Sequence, residues 1–164
     1  MAGATTVRAS WDRLSRVPGG RVFFSFLIGR MAPYSGSIGA TVLELGPGHS
    51  RIGLRDRRRV RNHLRSVHAV ALMNLAELSS GLALMYALPA DARGILTALS
   101  IEYLKKARGP LIALCNFTPP DASVRAEHEV VSEIRDGAGD VVARATARWL
   151  VGPNPPVART EAAA

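Results

Sequence analysis

The 164-residue sequence has little cysteine, few aromatic residues and a shortage of acidic residues. Cys115 is the only cysteine, which excludes an intramolecular disulfide and means that a cysteine-based metal site would also need histidine or carboxylate ligands. Aromatic residues make up 5% of the chain, so the core should be mostly aliphatic. The segment Met1 to Leu14 lacks the charged-then-apolar order of a secretory signal. We therefore expect a cytoplasmic protein with Cys115 as an inert core residue and no metal site.

The shortage of acidic residues leaves a strongly basic chain. Lys and Arg number 21 against 13 Asp and Glu, for a formal charge of +8. Much of this charge lies in the arginine-rich segment Arg55 to Arg65 and in a second group formed by Lys105, Lys106 and Arg108. Such a chain attracts nucleic acid, an acidic membrane surface or a phosphate-bearing small molecule. Because no aromatic stacking pattern accompanies the charge, we expect no specific nucleic-acid partner.

Long apolar runs are also scarce, and only Val67 to Leu88 has the length of a membrane span. A carboxylate in the middle of a span is costly, and this run contains several polar residues. Its Ala and Leu content predicts a helix that ends at Pro89, with Ser66 as a candidate N-cap. We expect a buried helix and no membrane span. The polar residues are His68, Asn74, Glu77, Ser79 and Ser80.

The remaining segments predict short helices and strands. Pro18-Gly19-Gly20 divides an N-terminal helical region, and the turn Gly46-Pro47-Gly48 joins two alternating segments into a hairpin. Four further strands follow the long helix. A helix that is apolar on nearly every face must be enclosed, which about six strands can do. We predict an α+β fold with an antiparallel sheet wrapped around one long helix, divided into an N-terminal helical extension (1–36), one domain (37–152) and a flexible tail (153–164).

Short motifs around the long helix resemble those of the hot-dog fold acyl-CoA thioesterase superfamily. In many of these enzymes an Asn or Gln lies six residues before a His, and an acidic residue follows nine after it; Asn62, His68 and Glu77 have these spacings. The motifs Asn62-His63, His68-Ala69 and Asn74-Leu75-Ala76-Glu77 are most similar to an uncharacterised thioesterase-like branch, a domain of unknown function. The resemblance covers about residues 37–151 and implies the hot-dog fold.

The resemblance implies a thioester hydrolase that acts on acyl-CoA, which is a substrate and not a cofactor. Glu77 would be the general base or nucleophile, Asn62 would orient the water or the carbonyl, and the Ala69 N–H would hold the oxyanion. His68 is either a participant or a packed residue at the helix start. The enzymes usually have Gly-Gly after this His, whereas this chain has Ala69-Val70. A non-catalytic protein that binds an acyl group or acyl-CoA is therefore the first alternative.

The spacing of His68 and Glu77 predicts that two chains build one site. Nine helical residues place the two side chains on opposite sides of the helix and about 13 Å apart along it. The hot-dog resemblance implies paired central helices, so we expect a homodimer. The larger assembly would be a homotetramer formed by two such dimers.

A wider set of residues is expected to contact the substrate, with phosphate-binding cations among them. Each candidate residue also has a purely structural alternative. Asn62 and His63 could cap the helix start, and Glu77 could form a hydrogen bond within the core. Thr97 could be an ordinary strand residue, and the cations could form a solvated charged rim. A basic nucleic-acid or membrane-surface binder that uses the arginine-rich segment is the second alternative. The expected substrate-binding residues are His63, Asn74, Gly81, Thr97, Arg61, Arg65, Lys105 and Lys106.

Overall fold

The structure, a computed structural model, describes residues 4–155. Three helices come first, then a hairpin, one long helix and four strands. The helices are α1 (Ala4–Leu14), α2 (Gly20–Met31), α3 (Pro33–Gly36) and α4 (Ala69–Ala87), and a short 3₁₀ helix spans Arg58–Val60. The strands are β1 (Thr41–Gly46), β2 (His49–Leu54), β3 (Ala92–Tyr103), β4 (Leu111–Asn116), β5 (Ala126–Arg135) and β6 (Val141–Pro153). Most of the predicted tail lies outside the described residues.

One antiparallel sheet of six strands has the order β1-β2-β4-β5-β6-β3. Strand β3 lies at the far edge of the sheet and pairs with β6 from Ala92 to Tyr103, so that three strands, β4, β5 and β6, stand between β2 and β3. The other edge of β3 pairs with no strand in the described part of the chain. The sheet curves around α4, which contacts all six strands along its length. This is the predicted α+β hot-dog architecture, and both the strand number and the central helix are confirmed.

The long helix begins two residues later than it would if Ser66 were its N-cap. His68 is the N-cap, and its ring Nδ1 accepts a hydrogen bond from the Val70 N–H at 3.1 Å. Ser66 instead donates its hydroxyl to the Asn62 side chain. The prediction of Ser66 as the cap was therefore wrong, because the loop before the helix engages that hydroxyl. The helix ends before Pro89, as expected.

The core lies between α4 and the concave face of the sheet. Leu75 and Leu84 of α4 are completely buried, as are Ile52, Leu111 and Ile134 of the strands. Helix α4 is long and apolar enough to cross a bilayer, but most of it is enclosed by the rest of the protein. It is thus the central core helix of the fold.

Strand β4 places the single cysteine in this core. Cys115 is 1% exposed, and burial raises the pKa of its thiol to about 11. Because the thiolate is the reactive form, a thiol with this pKa is inert near neutral pH. The core position predicted for Cys115 is confirmed, and its lack of reactivity stays a prediction.

The N-terminal helices cover the side of α4 that the sheet leaves open. The Arg8 guanidinium donates to the carbonyls of Tyr86 and Leu88 at 2.8 and 2.9 Å, at the carboxyl end of α4, where a cation is favourable. The Tyr86 hydroxyl donates to Asp12 at 2.8 Å, and the rings of Trp11 and Phe24 pack edge to face. These contacts fix α1 against α4 and α2 against α1.

We expect Leu75→Ala to lower the free energy of unfolding by about 2–5 kcal/mol, because it removes a completely buried side chain from a closely packed core. Val124→Ala, at a site 65% exposed, should change it by less than about 0.5 kcal/mol. Guanidinium unfolding curves measure both. Equal effects of the two substitutions would contradict the position of α4 in the core.

Candidate active site

Glu77 lines a partly open cavity between α4 and the N-terminal helices. The cavity has a volume of about 250 Å³, and its walls are mostly apolar. It has contributions from all three N-terminal helices and from the end of the sheet. Besides Glu77, the lining residues are Val7, Ile28, Met31, Ala32, Ser35, Leu78, Gly81, Leu82, Met85 and Trp149.

The Glu77 carboxyl has an unusual environment for an acidic residue. Its side chain is half-buried. Burial raises the pKa of the Glu77 carboxyl above its ordinary value, because the charged form loses hydration, and a hydrogen bond with Ser35 partly opposes this rise. No salt bridge to Glu77 is formed within residues 4–155. A carboxylate with a raised pKa and no cationic partner has the basicity that proton abstraction requires.

Asn74 and Gly81 flank Glu77 on the same helix and have different roles. Asn74 is 7% exposed, and its Nδ2 donates to the Tyr34 carbonyl at 3.0 Å, so it fastens α3 against α4. Gly81 leaves space for the Trp149 ring, since a Cβ at this position would lie 3.3 Å from that ring and 3.9 Å from a Glu77 carboxylate oxygen. Of these two residues, only Gly81 contributes to the wall of the Glu77 cavity.

Asn62 organises the loop that leads into α4. Its Oδ1 accepts hydrogen bonds from the Leu64 N–H at 3.0 Å and from the Ser66 N–H at 3.2 Å. Arg65 adopts a left-handed conformation with φ of 56°, which completes the turn. The carboxamide oxygen is therefore engaged in the loop, whereas Nδ2 donates to no group among the residues described. Asn62 can thus offer a substrate a donor but not an acceptor.

The first turn of α4 offers a second donor near Asn62. The Ala69 N–H forms no hydrogen bond with any residue between 4 and 155, in contrast to the Val70 N–H, which His68 caps. The Tyr103 hydroxyl donates to the Ala69 carbonyl at 3.1 Å and holds this turn against β3. Because the N-terminus of a helix favours negative charge, the free Ala69 N–H is suited to an oxyanion.

Asn62 and Ala69 line a cavity of about 330 Å³ that is separate from the Glu77 cavity. Tyr103, Lys105 and Lys106 form its other wall. The Nζ of Lys105 lies 2.7 Å from both Asp136 and Asp140, so its charge is already paired. The two cavities have no lining residue in common. Within one chain, the structure therefore does not bring Asn62 and Ala69 together with Glu77.

The other sequence-predicted residues lie outside both cavities. Arg61 pairs with Asp56, which is itself nearly buried, and Arg65 and His63 are exposed. Thr97 donates its hydroxyl to Glu127 at 3.1 Å and to the Arg148 carbonyl at 3.2 Å, among exposed groups of the sheet. These contacts are structural and give no support for direct substrate binding.

Ser35 and Trp149 are site residues that sequence reasoning missed. Both line the Glu77 cavity, and Ser35 also hydrogen-bonds the carboxyl. Ser35 lies on a four-residue helix with no motif, and Trp149 occupies an apolar position of β6. Neither local pattern carries a signal for its contact with α4.

The sequence was also compared with known proteins. A family model described as a domain of unknown function, DUF4442, matches residues 20–151. The chain belongs to this family. No curated protein matches the DUF4442 chain.

Solved structures resemble this DUF4442 protein over most of its length. One, a genomics target, is 31% identical, with a TM-score of 0.79 over 90% of this chain and 98% of its own. A protein of unknown function from Pseudomonas aeruginosa, described as a probable thioesterase, is 20% identical, with a TM-score of 0.72 over 84% and 97%. A thioesterase family protein from Silicibacter pomeroyi is 15% identical, with a TM-score of 0.67 over 79% and 96%. The predicted resemblance to an uncharacterised thioesterase-like branch of the hot-dog superfamily is confirmed.

We expect Glu77→Gln to increase the free energy of unfolding at pH 7 and to leave it unchanged near pH 4. A carboxyl whose pKa is raised in the folded state binds more protons there than in the unfolded chain, so stability falls as the pH rises from the unfolded pKa through the folded pKa. Glutamine removes this loss because it never ionises. Urea unfolding of both proteins across this pH range measures the difference. An equal effect of the substitution at both pH values would contradict the buried, unpaired carboxylate.

Proposed function

We propose that the protein is a thioesterase that hydrolyses acyl-CoA, with Glu77 as the general base or nucleophile. The observation that carries the proposal is the position of the half-buried Glu77 carboxyl at the wall of an apolar cavity. Burial there raises the pKa of this carboxyl. The thioesterase-like relatives of the fold support a thioester substrate.

As general base, Glu77 would take a proton from a water molecule as the water oxygen attacks the thioester carbonyl. The tetrahedral intermediate would collapse with cleavage of the carbon–sulfur bond, and the thiol of coenzyme A would leave with the proton. As nucleophile, Glu77 would attack the carbonyl directly and form an anhydride that water then hydrolyses. Both routes yield a carboxylic acid and free coenzyme A, and both need a donor for the oxyanion.

The proposed donor comes from a second copy of the chain. Asn62 Nδ2 and the Ala69 N–H are free donors, but they line a different cavity from Glu77. The free edge of the long strand β3 supports a pairing with another copy, because exposed edges template strand addition. We propose a homodimer in which Asn62 and Ala69 of one protomer face Glu77 of the other.

We expect Glu77→Gln to lower kcat for acyl-CoA hydrolysis at least about 100-fold, since glutamine retains the shape of the side chain but can neither accept the proton nor attack. Asp91→Asn removes an exposed carboxylate outside both cavities and should leave kcat unchanged. Steady-state release of coenzyme A measures both variants. Full activity of the Glu77 variant would disprove the catalytic assignment.

The replacement of Gly-Gly by Ala69-Val70 makes acyl-CoA binding without hydrolysis the second candidate. The Ala69 methyl group narrows the approach to the N–H that would hold the oxyanion. Saturable binding of acyl-CoA in a calorimetric titration, with no release of coenzyme A in the kinetic assay, would select this candidate.

Mixing two inactive variants should restore activity if two chains form each site. Asn62→Asp retains the oxygen that caps the loop but removes the Nδ2 donor, and we expect it to lower kcat about 100-fold. In a refolded equimolar mixture with Glu77→Gln, half of the dimers would be mixed and would contain one intact site, so about a quarter of the wild-type activity should return. One variant carries an affinity tag, so that capture of the untagged variant with it shows the presence of mixed dimers. No recovery in such a mixture would contradict the shared site.

A further inference from the structure

A larger cleft lies beside the Glu77 cavity, between α2, α3 and the start of β1. Its volume is about 470 Å³, and it has both apolar and polar walls. We call it the α2–β1 cleft. Val22 and Phe26 of α2 form an apolar side, and Arg30 and Arg57 contribute guanidinium groups.

The α2–β1 cleft adjoins the Glu77 cavity. Ile28, Ser35 and Leu78 line both, so these three side chains form the boundary between them. Ser35 is also the residue that hydrogen-bonds Glu77. No residue of the α2–β1 cleft is shared with the Asn62 cavity. The α2–β1 cleft therefore meets the Glu77 cavity at a boundary that includes Ser35.

The cations of the α2–β1 cleft are not neutralised by neighbouring acids. Within the described part of the chain, Arg30, Arg57 and Arg59 form no salt bridge. Gly39 keeps the last two close to the cleft, since a Cβ at Gly39 would collide with the Arg59 guanidinium and lie 3.8 Å from that of Arg57. By contrast, Lys105 and Arg61 both have carboxylate partners.

We infer that the α2–β1 cleft binds the phosphate-bearing head of an acyl thioester whose acyl end occupies the Glu77 cavity. Unpaired guanidinium groups are well suited to phosphate, which they bind through two parallel hydrogen bonds. Phe26, 60% exposed, offers a ring face on which a base or the apolar part of a carrier arm can pack. This inference rests on the proposed function, because it takes Glu77 as the reacting group.

The inferred arrangement gives the N-terminal helices a direct role in substrate recognition. Helices α2 and α3 would separate the charged head from the acyl group, and the size of the Glu77 cavity, about 250 Å³, would limit acyl length. The phosphate group can come from free coenzyme A or from the phosphopantetheine arm of a carrier protein. In both sources a phosphate is joined through pantetheine to the thioester.

Binding of coenzyme A by isothermal titration calorimetry tests the inference on the full-length protein. Arg57→Gln should weaken binding at least about tenfold, because it removes a charged hydrogen-bond donor. Arg58→Gln is a matched control, since Arg58 is an exposed neighbour with the same charge that does not line the cleft, and it should leave the affinity within about twofold. The same titrations with 4′-phosphopantetheine separate the two sources. If Arg57→Gln weakens the binding of both ligands, the pantetheine phosphate lies in the cleft. If it weakens the binding of coenzyme A alone, the nucleotide of coenzyme A lies there.

Kinetics separate this inference from the proposed function. Arg57→Gln should raise KM at least about tenfold for an acyl-CoA but leave KM unchanged for the acyl-N-acetylcysteamine thioester, which carries no phosphate. Arg57-dependent binding of coenzyme A without turnover of either thioester would refute hydrolysis and still support the cleft. Turnover with equal effects of Arg57→Gln and Arg58→Gln, or no binding of coenzyme A by the wild type, would overturn the inference.

Discussion

Enclosure of the apolar helix α4 is the constraint on which the rest of the structure depends. The sheet covers one side of the helix, and α1, α2 and α3 cover much of the other. The polar groups on α4 must then be satisfied inside the protein or placed at a cavity. Asn74 meets this requirement only in part, because its Nδ2 donates to the Tyr34 carbonyl while its Oδ1 is buried without a partner among the described residues. Glu77 meets it by facing a cavity and Ser35. The same helix is therefore the centre of the core and the support of the candidate site.

The N-terminal helices connect stability with the proposed chemistry. Arg8 and Asp12 attach them to the carboxyl end of α4, and Ser35 brings them to the middle of that helix. Without these helices Glu77 would face solvent, where its pKa would approach the ordinary value and its basicity would fall. The cost is a half-buried carboxylate that has no cationic partner among residues 4–155. Such a cost is typical of functional sites, where stability is given up for reactivity.

The sequence was informative where a feature depends on neighbouring residues along the chain. The apolar run from Val67 to Leu88 predicted α4 almost to its ends, and alternation predicted the strands, because helix and strand periods are local properties. The spacing of His68 and Glu77 also predicted that the two residues lie apart on the helix, and in the structure Glu77 lines one cavity whereas His68 lines neither that cavity nor the one at Asn62 and Ala69. What the sequence could not predict depends on packing between distant segments. Examples are the contact of Ser35 with Glu77, the pairing of Lys105 with Asp136, and the position of Arg57 beside α2.

The most direct test of the account is a crystal structure with an acyl-CoA analogue in which a methylene group replaces the thioester sulfur, so that the ligand keeps its carbonyl but cannot be hydrolysed. The account predicts that the carbonyl carbon lies about 3–3.5 Å from the Glu77 carboxylate or from a water molecule that it binds. The acyl chain should extend toward Trp149. An analogue whose carbonyl lies away from Glu77 of every protomer would contradict the central claim.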